Sequence, residues 1–255
     1  MIDALHISST GLRSQQEQID VISNNVANMQ TPGFKRGRVN FAEIAAIPMT
    51  GETMLGAGIH HGGGTRIASM SLEFGAGALQ PTRNPLDLAI DGNGFFELED
   101  SAGNRFFTRS GQFRLDEQGY MTAINGMRLA AGIQIPLGAT EMLVSARGEV
   151  SALLDGSNER TVLGIIDLAT FVSTEGLMAH GDNVFRATAR SGEPVTAITG
   201  EGGAGRLQQG YLEMANVDMI DEMTGLVLAQ RAYQLNARVL QASDQILETI
   251  NNLRR

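Results

Sequence analysis

"SNNVANMQTPGFKR", residues 23–36, decides how the chain is divided. Up to Val26 the apolar residues recur at a helical interval; an Asn-rich tract then gives way to Thr31-Pro32-Gly33, and Phe34-Lys35-Arg36 follows. Proline lacks the N–H that a helix interior needs, and glycine accepts left-handed backbone, so the pair stops a helix and turns the chain. Before this corner, Leu5, Leu12, Ile19 and Val26 recur every seven residues, with Ile2, Ile22 and Met29 to either side. The spacing predicts an amphipathic helix of about 25 residues, about 38 Å long at 1.5 Å per residue. Gln15, Gln16, Glu17, Gln18 and Asp20 form its polar face.

The far end of the chain repeats the pattern. Leu226, Tyr233, Leu240 and Leu247 are spaced by sevens, as are Ala232, Val239, Ile246 and Leu253, and Leu228, Leu235 and Ala242 widen the apolar surface. The first two sets lie about 100° apart around a helix, more than the narrow seam of a two-stranded coiled coil requires. The C-terminal helix is therefore expected to meet neighbours on two sides. Asp218, Asp221 and Glu222 at its start and Arg254-Arg255 at its end complement the helix dipole. The bland alternative is a pair of ordinary helices packed on the domain between them. The width of the apolar surface favours helices that gain order from neighbouring copies.

Between the helices the period changes. Residues 86–130 are short apolar stretches split by Asp91-Gly92, Gly94, Ala102-Gly103-Asn104, Ser110-Gly111, Gln118-Gly119 and Asn125-Gly126. Each glycine can supply the positive φ of a hairpin turn, and turns at this spacing indicate a small antiparallel β-domain. "GEVSALL", "TVLGIIDLATFV" and "NVFRATA" extend the strands to about residue 190.

The fold class is thus α+β: long N- and C-terminal α-helices forming an antiparallel coiled coil, with an inserted, mainly antiparallel β-domain. Its expected coiled-coil core is Leu5, Leu12, Ile19, Val26, Leu226, Leu235, Val239, Leu240, Ile246 and Leu247. Boundaries fall at 1–41 for the first helix and its turn, 42–80 for a Gly-rich linker or extended segment, and 81–197 for the β-domain. A second linker takes 198–210, and the second helix takes 211–255.

Composition narrows the function. A chain of 255 residues with 31 Gly, 5% aromatics and no Trp is rich in turns and poor in large core anchors, unlike a compact α/β enzyme. The net charge of −9 argues against general nucleic-acid binding, which needs a basic face. No Cys is present, which excludes disulfides, thiol catalysis and zinc–thiolate sites. No run of 18 apolar residues indicates membrane insertion. The opening residues lack the basic and apolar regions of a secretory signal. His60-His61 is read as a flexible loop, since adjacent residues on a strand point to opposite faces and no further ligands accompany them. "DGNGFF" lacks the third glycine of a dinucleotide fingerprint. Asp87 and Asp91 share a strand face without a marked cleft, and Ser110 and Ser173 sit in no nucleophile elbow. No catalytic residue, cofactor or metal site is read from this chain, which is taken as a non-enzyme.

The two ends carry a resemblance. "ALHISSTGLRSQQEQIDVISNNVANMQTPGFKR" closely resembles the N-terminus of bacterial flagellar axial proteins, the rod and hook proteins. Ala27, Asn28, Thr31, Gly33, Phe34 and Lys35 fall on that family's A-N-x-x-T-x-G-F-K signature. "GYLEMANVDMIDEMTGLVLAQRAYQLNARVLQASDQI" resembles its C-terminal block through Leu212-Glu213, Asn216-Val217, Glu222-Met223, Gln230-Arg231-Ala232-Tyr233, Asn236 and Asp244-Gln245. "NPLDLAIDGNGFFEL" and "FTRSGQFRLDEQGYM" resemble the β-domain next to the helical core. The length suits a rod protein, and the opening is most similar to the distal rod subtype. The stretch after Phe41 is shorter than usual there, which keeps a proximal rod protein in play beside a hook-type protein. A secreted coiled-coil adhesin or enzyme is the remote alternative.

The resemblance implies export through the flagellar type III apparatus without a cleaved signal peptide, and assembly in the periplasm as part of the basal body. It implies a helical homopolymer that joins other rod and hook proteins inside the surrounding bushing rings. It also implies that Ala27, Asn28, Thr31, Gly33, Phe34, Lys35, Asn216, Val217, Gln230, Arg231, Tyr233 and Asn236 form the assembly motif.

Overall fold

The computed structural model describes residues 2–45, 62–136, 138–154 and 159–253. His60-His61 and Arg254-Arg255 lie outside the described residues. The chain divides into two units. One comprises residues 1–27, 37–72 and 218–255; the other comprises 28–36 and 73–217. The α+β architecture is present, with a helix at each end and antiparallel strands between.

In the helical unit, α1 (Ile2–Ala27) and α2 (Met219–Leu253) lie antiparallel. Gly11 faces Asn236, Gly225 faces Ile22, and Asn25 bonds to Glu222, so the partners' numbers fall along one helix as they rise along the other. At this register α2 runs on past the start of α1. Of the buried residues of α1, four are small or polar, Ser8, Gly11, Ser14 and Asn25, and only Ile22 is a large apolar side chain. A β-carbon on Gly11 would stand 2.8 Å from Asn236 Nδ2, so glycine is what permits this approach. Asp218 caps α2, its Oδ1 accepting from the N–H of Ile220 (2.8 Å) and Asp221 (3.3 Å).

Two long strands, β1 (Arg36–Ala45) and β2 (Gly62–Glu73), pair with each other. Asn40 bonds to Ser69 and Ser71, while Gly63 lies against Ile44, so they run in opposite directions. Asn25 extends a strand-like handshake from the helix: Gly37 N–H donates to its Oδ1 and its Nδ2 donates to Gly37 O, both at 2.9 Å. Much of the described part of 42–80, expected as a Gly-rich linker or extended segment, is strand. "GGGTRIASMSLE" hides it because three glycines carry no β-propensity of their own.

In the β-unit the early strands β3 (Leu79–Pro81) and β4 (Leu88–Asp91) pair with the late strands Tyr211–Glu213 and Arg206–Gln209. The second expected linker, 198–210, is thus partly strand as well. β5 (Phe95–Glu99) and β6 (Arg105–Thr108) form a hairpin at the middle of the largest sheet. Strands Ala139–Val144, Glu149–Leu154 and Arg160–Ile165 make a separate three-stranded sheet. Leu88, Ile90, Phe96, Leu98, Ile166 and Leu168 are among the side chains of one continuous core. Not every glycine-bearing break makes a hairpin. Asp91-Gly92 leads from β4 to β5, which belong to different sheets. Ser110-Gly111 leads from β6 to Phe113–Leu115, which pairs instead with Met121–Ala123. Gly111 is not among the left-handed glycines.

Candidate assembly corner

The stretch after α1 folds as two successive turns. Thr31 N–H donates to Asn28 O (2.9 Å), and Phe34 N–H donates to Thr31 O (3.2 Å). Pro32 and Gly33 occupy the second turn, where Gly33 has φ +72°. Proline followed by a left-handed glycine is the pattern of a type II turn. The turn is held in the β-unit: Gly33 N–H donates to Glu213 O (2.7 Å), and Asn183 Nδ2 donates to Pro32 O (3.0 Å). A β-carbon on Gly33 would collide with the backbone N of Ser110 and lie 2.7 Å from its Cα.

One residue further on, Lys35 enters the interior with its side chain at 0% exposure. Its Nζ donates to Glu213 Oε1 at 2.7 Å and to Gly75 O at 2.8 Å. Oε1 also accepts from Gly77 N–H at 2.9 Å. The second oxygen, Oε2, accepts from Arg109 at 3.2 Å. Arg109 donates in addition to Ile90 O (3.4 Å) and Gly92 O (2.6 Å), with its guanidinium 5.5 Å from the centre of the Phe95 ring. Burial pushes the Lys35 ammonium below its ordinary pKa, against the opposing pull of Glu213. The same desolvation lowers Arg109, again opposed by Glu213. One carboxylate thus answers two buried cations.

Beside this cluster Asn216 closes the base of the two long strands. Its Oδ1 accepts from Arg36 N–H (2.8 Å), and its Nδ2 donates to Glu73 O (2.7 Å). Gly33, Lys35 and Asn216 therefore belong to a single bonded region, while Phe34 and Val217 are half-buried. Asn28 and Thr31 build the turn, joined through their side chains at 3.2 Å, and Ala27 is the exposed end of α1. Gln230, Arg231 and Tyr233 are exposed on α2, and Asn236 faces Gly11. Leu5, Leu12, Ile19, Val26, Leu226 and Leu240 are half-buried, whereas Leu235, Val239, Ile246 and Leu247 are exposed.

Two members of the buried cluster escaped the site reading. In the sequence Glu213 stands out only within the C-terminal block, and Arg109 only as part of "FTRSGQF". The available signal is an arginine directly after Phe106-Phe107-Thr108, since a charge that is buried beside a core strand has to be paired.

A helical unit that pairs the two ends of the chain, and a separate β-unit that holds the corner after α1, define a structural subunit whose two termini fold together. Three family descriptions match it in chain order: "Flagella basal body rod protein" at 5–35, "Flagellar hook protein FlgE/F/G D1 domain" at 89–152, and "Flagellar basal body rod FlgEFG protein C-terminal" at 208–253. The chain is 38% identical to the flagellar basal-body rod protein FlgG of Caulobacter vibrioides, over 99% of its own length and all of that relative. It is 37% identical to the protein of the same name from Borreliella burgdorferi, over the whole of both. Identity to the flagellar hook protein FlgE of Escherichia coli is 25%, over 96% of this chain and 98% of that one. The chain belongs to the flagellar basal-body rod protein family.

Proposed function

We propose that the protein is a structural subunit of the bacterial flagellar basal-body rod, of the distal type, which polymerises helically into the shaft that carries torque from motor to hook. It catalyses no reaction. Its terminal helices form a coiled coil completed by other copies, and its partners are itself, other rod and hook proteins, the surrounding bushing rings and the flagellar export apparatus. The place of work is the basal body within the periplasmic space, and among the described residues no helix is long and apolar enough to cross a membrane.

One observation carries this reading. Leu228, Leu235, Val239 and Ile246 are 62%, 61%, 47% and 50% exposed. At 100° per residue they fall within a strip about 40° wide, centred about 60–80° around α2 from the positions that meet Gly11 and Ile22. A sustained apolar strip of this length costs solvation in a lone molecule and is covered when helices from further copies pack beside it. Contacts that do not close on themselves then extend into an open filament. A rod subunit is favoured over a hook subunit because the rod relatives align over 261 and 264 positions, close to this chain's length, whereas the hook relative needs 406. Subunit position in isolated basal bodies distinguishes a distal from a proximal rod protein.

Leu235→Asp tests the strip. The variant is expected to keep the monomer's melting temperature, because Leu235 is already exposed, and to remain monomeric in sedimentation at concentrations where the parent chain polymerises. Polymerisation equal to the parent's would overturn the proposal.

A further inference from the structure

The strand Arg160–Ile165 is an edge of the three-stranded sheet, and no other described strand pairs with its open side. Natural sheets blunt such edges with charges or proline; from Thr161 to Ile166 there is neither. Against Glu149–Leu154 the strand has one extra residue. Val150 faces Gly164 and Ser151 faces Val162, which leaves Leu163 as a bulge. Leu163 packs against the core, and a β-carbon on Gly164 would stand 3.0 Å from Ile133 Cγ1, so both positions are turned inward. Val162 and Ile165 are thereby brought together on the outer face, 57% and 54% exposed. Ile166 N–H donates inward to Gly148 O at 2.8 Å. The bonding side alternates along an antiparallel ladder, so the backbone groups of Ile165 and Asp167 point to the open side.

We infer that this edge pairs antiparallel with the same edge of a second copy, about a two-fold axis between Leu163 and Gly164. In that register Val162 lies opposite Ile165 of the second copy and Arg160 lies opposite its Asp167, each twice. Four β-branched side chains then shield one another, and an ion pair closes each end. Arg160 donates to Glu141 at 2.8 Å and keeps further N–H groups for Asp167. A shift of one residue loses the match: one direction sets Glu159 against Asp167, and the other sets Val162 against the buried Ile166. The complementarity is local and arises when this strand is read against itself, which names the second copy as the occupant. A two-fold contact points its two copies in opposite directions, whereas an open filament repeats a contact in one direction. The pair therefore belongs to subunits outside the shaft. Edges this short fall below the roughly 1,200–2,000 Å² of a stable complex, so the pair is reversible.

Disulfide trapping tests the register. Val162→Cys and Ile165→Cys supply two thiols in a chain that has none, and residues opposed across an antiparallel pair, about 4.5–5.5 Å apart at Cα, are within disulfide reach. The unpolymerised full-length double variant is oxidised with glutathione disulfide. A covalent dimer joined from 162 to 165 in both directions is expected, formed at least tenfold faster than with either cysteine alone. Bonds within one chain, bonds from 162 to 162, or dimerisation no faster than with single cysteines overturn the pairing. Arg160→Asp in the same chain is expected to slow trapping at least fivefold, and adding Asp167→Arg to restore it; no slowing, or no recovery, overturns the register. The covalent dimer is expected to stay out of the polymer until reduced, and its entry at the rate of the reduced chain overturns the two-fold arrangement. Trapping in a chain that never polymerises leaves the pair standing while the proposed function falls. Polymer without trapping brings down the pair alone.

Discussion

Replacing Glu213 with Gln is expected to destabilise the β-unit by about 3–5 kcal/mol, the usual consequence of removing one partner from a buried ion pair. The side chain is 1% exposed and answers both Lys35 and Arg109, so the variant leaves two cations facing each other in a desolvated interior. A loss of that size is a large share of the roughly 5–15 kcal/mol that holds a typical domain together. Lys35→Met makes the informative companion. It removes one of the two cations and leaves Arg109 matched to Glu213, so its loss, chiefly the unanswered Gly75 carbonyl, is expected nearer 1–3 kcal/mol. Urea unfolding followed by circular dichroism measures both. Equal losses in the two variants would show that the charge imbalance does not govern this interior.

Gly33→Val is expected to release the corner. A left-handed residue with a β-carbon costs about 1–2 kcal/mol before any contact is counted, and valine, branched at that carbon, is worse placed than alanine. Here the new atom also meets Ser110 backbone and the carbonyl carbon of Arg109 at 2.8 Å, neither of which is a flexible side chain. The bond from Gly33 N–H to Glu213 O is lost with the movement. The predicted result is rapid proteolysis between residues 28 and 36, failure of rod assembly and loss of motility, while the strands from Leu88 to Leu207 keep their protection. Protease resistance and motility like the parent's would contradict the role given to this turn.

Much of the architecture was readable because its signals are local. The sevenfold recurrence at Leu5, Leu12, Ile19 and Val26 and its counterpart on α2 announce two helices. Gly103, Gly119 and Gly126, with φ of +81°, +84° and +85°, sit at turns within the β-unit as their sequence context implied. The features that escaped depend on partners far along the chain. Leu79–Pro81 pairs with Tyr211–Glu213, and nothing in either triplet names the other. Ser110-Gly111 looked like a hairpin and is a crossing, because a glycine-bearing pair permits a reversal without requiring one. The helix contact also has a different composition from the apolar stripe. Ser8, Gly11, Ser14 and Asn25 are fully buried while Leu5, Leu12, Ile19 and Val26 are half-buried, since small and hydrogen-bonding side chains let the backbones approach and periodicity of leucines cannot reveal that.

The site divides along the same line. Gly33 and Lys35 were marked by the corner's own composition, and Asn216 by its place in the C-terminal block. Arg109 and Glu213 are separated from Lys35 by long stretches of chain, and a charged residue is ordinarily a surface residue. Only the closing of β3 and β4 against the late strands turns these three into one buried group.

Hydrogen exchange across the full chain, compared between dilute monomer and assembled polymer, tests most directly whether α2 is completed by other copies. Amides over residues 228–246 are predicted to slow by about tenfold or more on polymerisation, because packing along the exposed strip suppresses local opening. Those of Leu88–Asp91 and Phe95–Glu99 are predicted to stay unchanged. A polymer in which residues 228–246 exchange as fast as they do in the monomer would contradict the account.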